Sequence, residues 1–426
     1  MKSPAGSTLD FNPLDPGFHR DPYPWYHRLR ACDPVHRTWS FRPEWFLTRY
    51  DDVRFVTTER SAFGIEKLHD HVAAKSRLLQ KRDPSRNLDS LSGATSSWLL
   101  FIDPPDHTRM RRLVSQAFTP RVVEDLRPAI QEIVDSLIAA FSRSAEADLI
   151  ARLAGPLPVI VIARMLGLPE GDHIQLKDWA ETMFRVVDQL HTLEAFEEME
   201  SVARQFAAYF REVLAQRQGQ PPRRDLIGAL QSARDEGEHL SDDEIISFCM
   251  LLFSAGEETT LNLIGNGVHA ILSNPGQRNR LLENLDDPAF VESAVEELLR
   301  FDSPVQMISR VAAGDIQLGG KELRRGDRVV ACLAAANRDP DRFPDPDRLD
   351  LARPNNRHLA FGAGIHHCVG APLARAEGQI AIQTLFRSFP DIQLIPGDVA
   401  FRPNHALRGL SRLGVRFQAS NSRSAG

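Results

Sequence analysis

Apolar residues recur every three to four positions along segments 121–142, 156–167, 196–216, 242–273, 288–300 and 373–389, the period of a helix that turns one face to a core. Strict alternation is confined to short runs at 45–48, 315–318 and 328–333. These predict strands for small sheets, with Gly319-Gly320 turning between the latter two. The expected fold class is therefore mainly α with small β-sheets.

The segment 242–273 is the most distinctive. Ser241 and Glu244 form a capping box at its start, and Pro275 stops it about 32 residues later, for roughly 48 Å of helix. Such a helix crosses a whole domain. Its stretch IISFCMLLFSAG is apolar on nearly every side, which implies burial all round. The polar run Glu257-Glu258-Thr259-Thr260 then interrupts it, and buried polar groups need a reason.

At 426 residues the chain could hold three domains of roughly 150 residues or one large helical enzyme. No internal repeat divides it, and the clearest break, GQPPRRD at 219–225, is too short to mark a boundary. Residues 12–418 are expected to form a single domain between flexible ends at 1–11 and 419–426, which are small and polar. With 42% hydrophobic and 25% charged residues, wholesale disorder is excluded. The 51 Lys plus Arg against 57 Asp plus Glu leave no basic excess to attract nucleic acid. No apolar run approaches the ~18 residues of a membrane span, and the start MKSPAGSTLDFNP lacks the apolar middle of a secretory signal. A cytoplasmic protein without a membrane anchor is expected. Cys32, Cys249, Cys332 and Cys368 are too far apart for a disulfide framework or zinc site, so any thiol chemistry falls to one cysteine alone.

That cysteine is Cys368, in FGAGIHHCVGAPLARAE at 361–377. Glycines at 362, 364 and 370 crowd the approach to it, and a helical pattern led by Ala-Pro follows directly. Backbone N–H groups and the positive end of a helix dipole favour thiolate there, while glycines let a flat ligand approach the backbone. A thiolate facing a broad planar cofactor is a haem ligand.

Here the chain resembles the cytochrome P-450 family, whose haem signature Phe-Gly-x-Gly-x-His/Arg-x-Cys-x-Gly is matched by Phe361, Gly362, His366, Cys368 and Gly370 among its defined positions. Further motifs in the family's order extend the resemblance over residues 12–417, to members of the soluble bacterial type. It implies haem b between a long central helix and the helix after the cysteine loop, with Cys368 as proximal ligand to the metal. The run Ala255 to Thr260 resembles the oxygen-activating segment. Ala255 lies against the cofactor, Gly256 leaves room above the iron, and Glu258 and Thr259 match the acid–alcohol pair. Splitting dioxygen requires two protons, so a carboxyl and a hydroxyl are what the chemistry needs. A threonine in mid-helix can alternatively bond to the backbone four residues earlier and merely bend the helix.

Glu297 and Arg300 match the family's structural Glu-x-x-Arg, an i, i+3 pair on one helix face, with Arg348 as the candidate third partner. In DPPDHTRMRRL, Asp106 can cap a helix carrying His107 and Arg111 one turn apart. These two, with Arg310 and His366, match the family's haem-propionate contacts, and charge-assisted bonds suit an anionic cofactor. By resemblance the substrate pocket draws on Leu99, Leu100, Leu251, Ser254, Ala255, Val305, Met307 and Leu407. These mostly apolar residues suit a lipophilic small molecule.

The resemblance implies a monooxygenase that uses dioxygen and receives electrons from a ferredoxin and its NAD(P)H-dependent reductase. Many such enzymes tailor polyketides, macrolides or terpenes. A peroxide-driven fatty-acid hydroxylase of the family typically has arginine and proline where this chain has Glu258 and Thr259. A haem-based ligand-binding protein without turnover is the reading from another class. Finally, the segment 67–86 carries six Lys or Arg against Asp70 and Asp83, in the stretch that forms the family's loop over the substrate opening. It is either a solvated loop or a patch that steers a carboxylate substrate or an acyl carrier protein.

Overall fold

The computed structural model describes residues 11–38, 43–65, 68–187, 192–221 and 223–417. All six segments with helical spacing are helices: Pro120–Phe141, Pro156–Met165, Leu193–Ala215, Asp242–Leu272, Pro288–Phe301 and Ala371–Ser388. Proline opens several of them, where its missing N–H has no partner to lose.

The long helix Asp242–Leu272 has 31 residues, about 46 Å. The Glu244 N–H donates to Ser241 Oγ at 3.2 Å and the Ser241 N–H to Glu244 Oε2 at 2.9 Å, closing the capping box. Nearly all its residues from Ile245 to Ser254 and from Thr260 to Ile271 are buried. They pack against the helices Pro156–Met165, His173–Phe184 and Ala371–Ser388.

Among the described residues, ten strands make three small sheets. The largest runs in the order β1 (Val35–Thr38), β2 (Glu44–Leu47), β8 (Arg328–Ala331), β5 (Ile308–Ala312), β3 (Phe63–Gly64). The others are β4 (Glu146–Asp148), β10 (Leu410–Arg416), β9 (Gln393–Phe401), and the hairpin of β6 (Ile316–Leu318) with β7 (Lys321–Leu323). Gly319 and Gly320, with φ of 55° and 75°, join β6 to β7 and not to β8. Two consecutive positive φ values suit a two-residue hairpin that pairs Leu318 with Lys321. β8 lies between β2 and β5 in the larger sheet.

Phe11 belongs to the folded domain. It is buried among Phe18, Tyr26 and Phe46, and its carbonyl accepts from Thr38 Oγ1 at 3.1 Å. The rest of the expected flexible ends lies outside the described residues. The basic segment is not a loop: Leu68–Arg82 is a 15-residue helix, and Lys67 lies outside the described residues. No described helix is long and apolar enough to cross a membrane.

Candidate active site

The Cys368 N–H donates to the Phe361 carbonyl at 3.0 Å, closing the loop that precedes the helix Ala371–Ser388. Gly362 and Gly364 have φ of 68° and 71°. A Cβ on Gly364 would stand 2.6 Å from the Thr57 carbonyl oxygen, so this glycine admits the end of helix Tyr50–Thr58 rather than a ligand. The N–H groups of Gly370 and Ala371 point at the Cys368 sulfur, and with Arg111 and Arg375 they favour thiolate. Burial opposes them and is the larger effect, so the thiol is raised above its ordinary value. The helix start does not make a thiolate unaided; coordination to a metal does. Cys249 and Cys332 are sealed in the core, whereas Cys368, at the start of the helix Ala371–Ser388, keeps exposed surface.

His107 and Arg111 lie one turn apart on helix Asp106–Ala117. Asp106 is its first residue and accepts no capping bond; the His107 N–H donates instead to the Asp103 carbonyl at 3.1 Å. The His107 ring is 4.3 Å from that of His366, centroid to centroid. His366 Nδ1 donates to the Leu99 carbonyl at 3.2 Å, tying the cysteine loop to the segment before this helix. Burial, then Arg310 and His107, push His366 down to about 3, so it is neutral at pH 7. Arg310 is buried on β5, where its Nη1 donates to the Ser309 carbonyl at 2.9 Å. Burial lowers both Arg111 and Arg310, the latter to about 10, leaving it charged at neutral pH.

Among the described residues, neither Arg111 nor Arg310 has a carboxylate in ion-pair contact, and the buried His107 Nε2 has no partner. A buried and a half-buried arginine with no carboxylate in contact leave the site incomplete, and two carboxylates would complete it. The four residues thus fit the propionates of a haem. Arg310 and His366 line a cavity of about 620 Å³ with Arg60, Asp103 and Ile65.

Within the buried long helix, Ala255, Gly256, Glu258 and Thr259 keep some open surface. The Thr259 hydroxyl donates to the Ala255 carbonyl at 2.8 Å. Gly256 does not leave room above a cofactor: a Cβ there would lie 2.9 Å from Ile162 Cδ1, so the space is taken by helix Pro156–Met165. Glu258 Oε1 lies 3.4 Å from Arg402 Nη1. Burial raises the Glu258 carboxyl and Arg402 works against it. Nothing in the sequence marks Arg402, which lies 144 residues away. Glu257 is buried with no hydrogen-bond partner for Oε1 among the described residues, and burial pushes it up to about 8.

Glu297 and Arg300 are fully buried and form a bidentate pair at 2.7 and 2.8 Å. The third partner is Arg353, whose Nε stands 3.1 Å from both Glu297 oxygens. The Arg348 side chain is 69% exposed and faces Asp350 at 3.6 Å; its carbonyl accepts from Arg353 Nη2 at 2.8 Å. The segment carries arginines at 342, 348, 353 and 357, and their spacing does not separate the buried one from the others.

Of the expected pocket residues, Val305 and Leu407 meet in an antiparallel bridge. Leu251 and Ser254 are buried on the long helix, Leu99 is buried beside His366, and Leu100 is 38% exposed. Met307 faces away, packing with Phe11, Phe18 and Tyr26. Strand side chains alternate between faces, so Ile308, two residues before Arg310, shares that residue's side of β5 and Met307 does not.

A mainly helical fold that sets an accessible thiol at a helix start, near Arg111 and Arg310, which have no carboxylate in contact among the described residues, is the architecture of a haem-thiolate enzyme. The Cytochrome P-450 family model matches residues 64–407. The chain belongs to the cytochrome P-450 family and is a haem-containing monooxygenase. It is similar to the polyketide biosynthesis cytochrome P-450 PksS of Bacillus subtilis (strain 168), at 38% identity over 417 residues, 96% of this chain and 98% of that protein. It is 39% identical over 421 residues to cytochrome P-450 monooxygenase PikC of Streptomyces venezuelae, covering 96% and 94%. It also resembles the crystal structure of P450BioI in complex with hexadec-9Z-enoic acid ligated acyl carrier protein. There the TM-score is 0.86 at 37% identity, covering 94% of this chain and 99% of that one.

Proposed function

We propose that this enzyme, acting in the cytoplasm, inserts one atom of dioxygen into a C–H or C=C bond of a lipophilic natural product such as a polyketide, macrolide or terpene. The other oxygen atom leaves as water. Two protons from solvent, and two electrons from a ferredoxin and its NAD(P)H-dependent reductase, balance the reaction. The cofactor is haem b, held by Cys368 at its iron and by His107, Arg111, Arg310 and His366 at its propionates. When bound, it supplies the reductive activation of dioxygen.

The chain's own residues hold, exclude and deliver. Phe361 and Gly370 bracket the cysteine. Leu99, Leu251, Val305 and Leu407 keep water from the reacting carbon and suit an apolar substrate. The Thr259 hydroxyl hydrogen is engaged by Ala255, so its oxygen is left to accept, and Glu258 carries the proton. The observation that carries this reading is this acid–alcohol turn, in which Glu258 and Thr259 stay only half-buried within an otherwise buried stretch of helix. The test has two steps. Macrolactones and terpenes are screened for displacement of water from ferric iron, read as a blue shift of the haem absorption. Hits are then supplied with dioxygen, NADPH and surrogate ferredoxin and reductase. Products from peroxide but not from electrons would favour a peroxide-driven fatty-acid hydroxylase, and products from neither a ligand-binding protein.

A second reading concerns how substrate arrives. Arg77, Lys81 and Arg82 are exposed on the helix Leu68–Arg82, while Lys75 lies over the Phe196 ring at 5.3 Å and Arg86 pairs with Glu197. The outward three favour an acyl group delivered on an acidic carrier protein, the kind of partner carried by P450BioI. Replacing the three with Gln should weaken binding of carrier-linked acyl chains more than of free ones, at low salt above all. Equal changes for both would remove the recognition role.

A further inference from the structure

The basic helix Leu68–Arg82 meets an acidic one. Arg86, shortly past its end, pairs with Glu197 of the helix Leu193–Ala215, and both side chains stay part-exposed. Glu194, in the first turn of that helix, is held below its ordinary carboxylate value by its own N–H and the Thr192 hydroxyl, and further by Arg82 and Arg86. One turn on from Glu197, the Glu200 carboxylate accepts from the N–H groups of Ser90 at 3.2 Å and Leu91 at 2.8 Å, so it holds the start of the helix Asp89–Thr95. That short helix packs against both Leu193–Ala215 and the long helix. On the long helix Ser247, one turn before the expected pocket residue Leu251, donates its hydroxyl to the Ala94 carbonyl at 2.7 Å. Glu197 and Glu200 thus clasp residues 86–91 beside the pocket half of the long helix.

The outer side of Leu68–Arg82 is open. Leu78 is 48% exposed. A single exposed leucine is ordinary on a protein surface, but here Arg77 adjoins it and the exposed Lys81 and Arg82 stand one turn on. An apolar side chain framed by cations fits an acidic helix that carries an apolar residue of its own. We infer that this face docks an acidic acyl carrier protein through Leu78, and that a carboxylate of the carrier takes Arg86 from Glu197, releasing residues 86–91 from the helix Leu193–Ala215 as the acyl chain enters. The inference rests on the reading that a carrier protein delivers the substrate.

The arrangement allows such an exchange of partners. Exposed ion pairs are individually weak, so a carrier carboxylate replaces Glu197 at little cost, whereas a buried pair such as Glu297 with Arg300 would not open. Arg82 and Arg86 both act on Glu194, so an anion arriving at Arg82 comes close to Arg86. Once Glu197 has lost Arg86, Glu200 holds the segment through two backbone N–H groups that water can equally satisfy. The helix Leu68–Arg82 itself stays seated, because Lys75 lies over the Phe196 ring at 5.3 Å and the His71 ring stands 5.6 Å from it. Glu198 does not compete for Arg86, since it pairs with Arg185 at 2.7 Å.

In the experiment the haem-bound enzyme is titrated with an acyl carrier protein bearing a hexadecenoyl chain, at low and high salt, while hydrogen–deuterium exchange is followed over residues 77–95. Leu78→Glu should weaken carrier binding about tenfold or more and leave haem content unchanged. Bound carrier should protect residues 77–82 and speed exchange of the Ser90 and Leu91 amides. Glu197→Gln should speed those two amides without any carrier, by about twofold to fivefold, the loss of one exposed pair. Arg86→Glu combined with Glu197→Arg keeps the clasp but shows the carrier an anion, so carrier should no longer speed the two amides. If carrier binding depends on Arg77, Lys81 and Arg82 yet survives Leu78→Glu, leaves the two amides unchanged, or speeds them equally in the charge-swapped enzyme, the inference is overturned and the carrier reading stands. Wild-type exchange in Glu197→Gln has the same consequence. Binding that is absent at low salt, or unchanged when the three cations become Gln, overturns the carrier reading itself.

Discussion

Thr259 donates its hydroxyl hydrogen to the Ala255 carbonyl oxygen at 2.8 Å, one turn back along the long helix. Such a bond is commonly structural and slightly bends a helix. Here it also limits the hydroxyl to accepting from whatever lies on the open side of that turn. A group that must supply a proton is then needed beside it, and Glu258 is the adjacent carboxyl.

Thr259→Ala and Glu258→Gln should therefore keep haem content and substrate affinity while electrons are diverted into hydrogen peroxide. Glu258→Gln should slow productive turnover by about a hundredfold or more, the usual contribution of a positioned acid. The measurement is product and peroxide formed per NADPH consumed. Wild-type rate and coupling in both variants would make the turn purely structural.

Cys368 differs from the buried Cys249 and Cys332 in keeping exposed surface, and from the exposed Cys32 in standing at a helix start, where the Gly370 and Ala371 N–H groups point at its sulfur. Cys368→Ser should abolish the strongly red-shifted Soret band of the reduced, carbon monoxide-bound protein. Serine at 32, 249 or 332 should leave that band in place. Its persistence in Cys368→Ser would assign the iron to another ligand.

The helices and the cysteine loop were legible because they depend on local pattern: 3.6-residue spacing, the Ser241–Glu244 box, and glycines next to a cysteine. What depends on chain reversal was not. The Gly319-Gly320 turn was visible as a turn, but the pairing of Leu318 with Lys321 rather than with the next apolar run depends on where β8 finds better neighbours in β2 and β5. The hairpin of β9 and β10 was missed because Pro396-Gly397 interrupts the first strand and register shifts break the alternation of the pair. Losing that hairpin also lost Arg402. Similarly, i, i+3 spacing identified Glu297 and Arg300, but only packing distinguishes Arg353 from Arg348.

That distinction has an energetic consequence. Arg353 is buried against both oxygens of Glu297, which also accept from the Asp350 N–H at 3.0 Å and Asn356 Nδ2 at 3.2 Å. Removing one member leaves a buried charge short of its partner, so Arg353→Ala should destabilise the enzyme by about 3–5 kcal/mol. Arg348→Ala, at an exposed position, should cost less than about 0.5 kcal/mol. Urea unfolding of the two haem-bound variants measures both, and similar losses would contradict the assignment.

Glu377 gives the last prediction. It is buried in the helix after the cysteine loop, Oε2 has no hydrogen-bond partner among the described residues, and burial pushes its carboxyl from 4.5 up to about 8. Below about pH 4.5 the group is protonated whether the chain is folded or not, and it contributes no pH dependence. As pH rises toward 8, the unfolded chain releases this proton while the folded protein retains it. Stability must therefore fall across that window, by an amount on the order of a few kcal/mol, and level off above it. Glu257 acts in the same direction. Glu377→Gln removes one ionisation and keeps the side-chain shape, so it should flatten the decline: its urea midpoint should gain on wild type between pH 5 and pH 8, whatever the offset at pH 5. Parallel declines in the two proteins would mean that the buried carboxyl has an acceptor or a counter-charge that keeps its pKa near the ordinary carboxylate value.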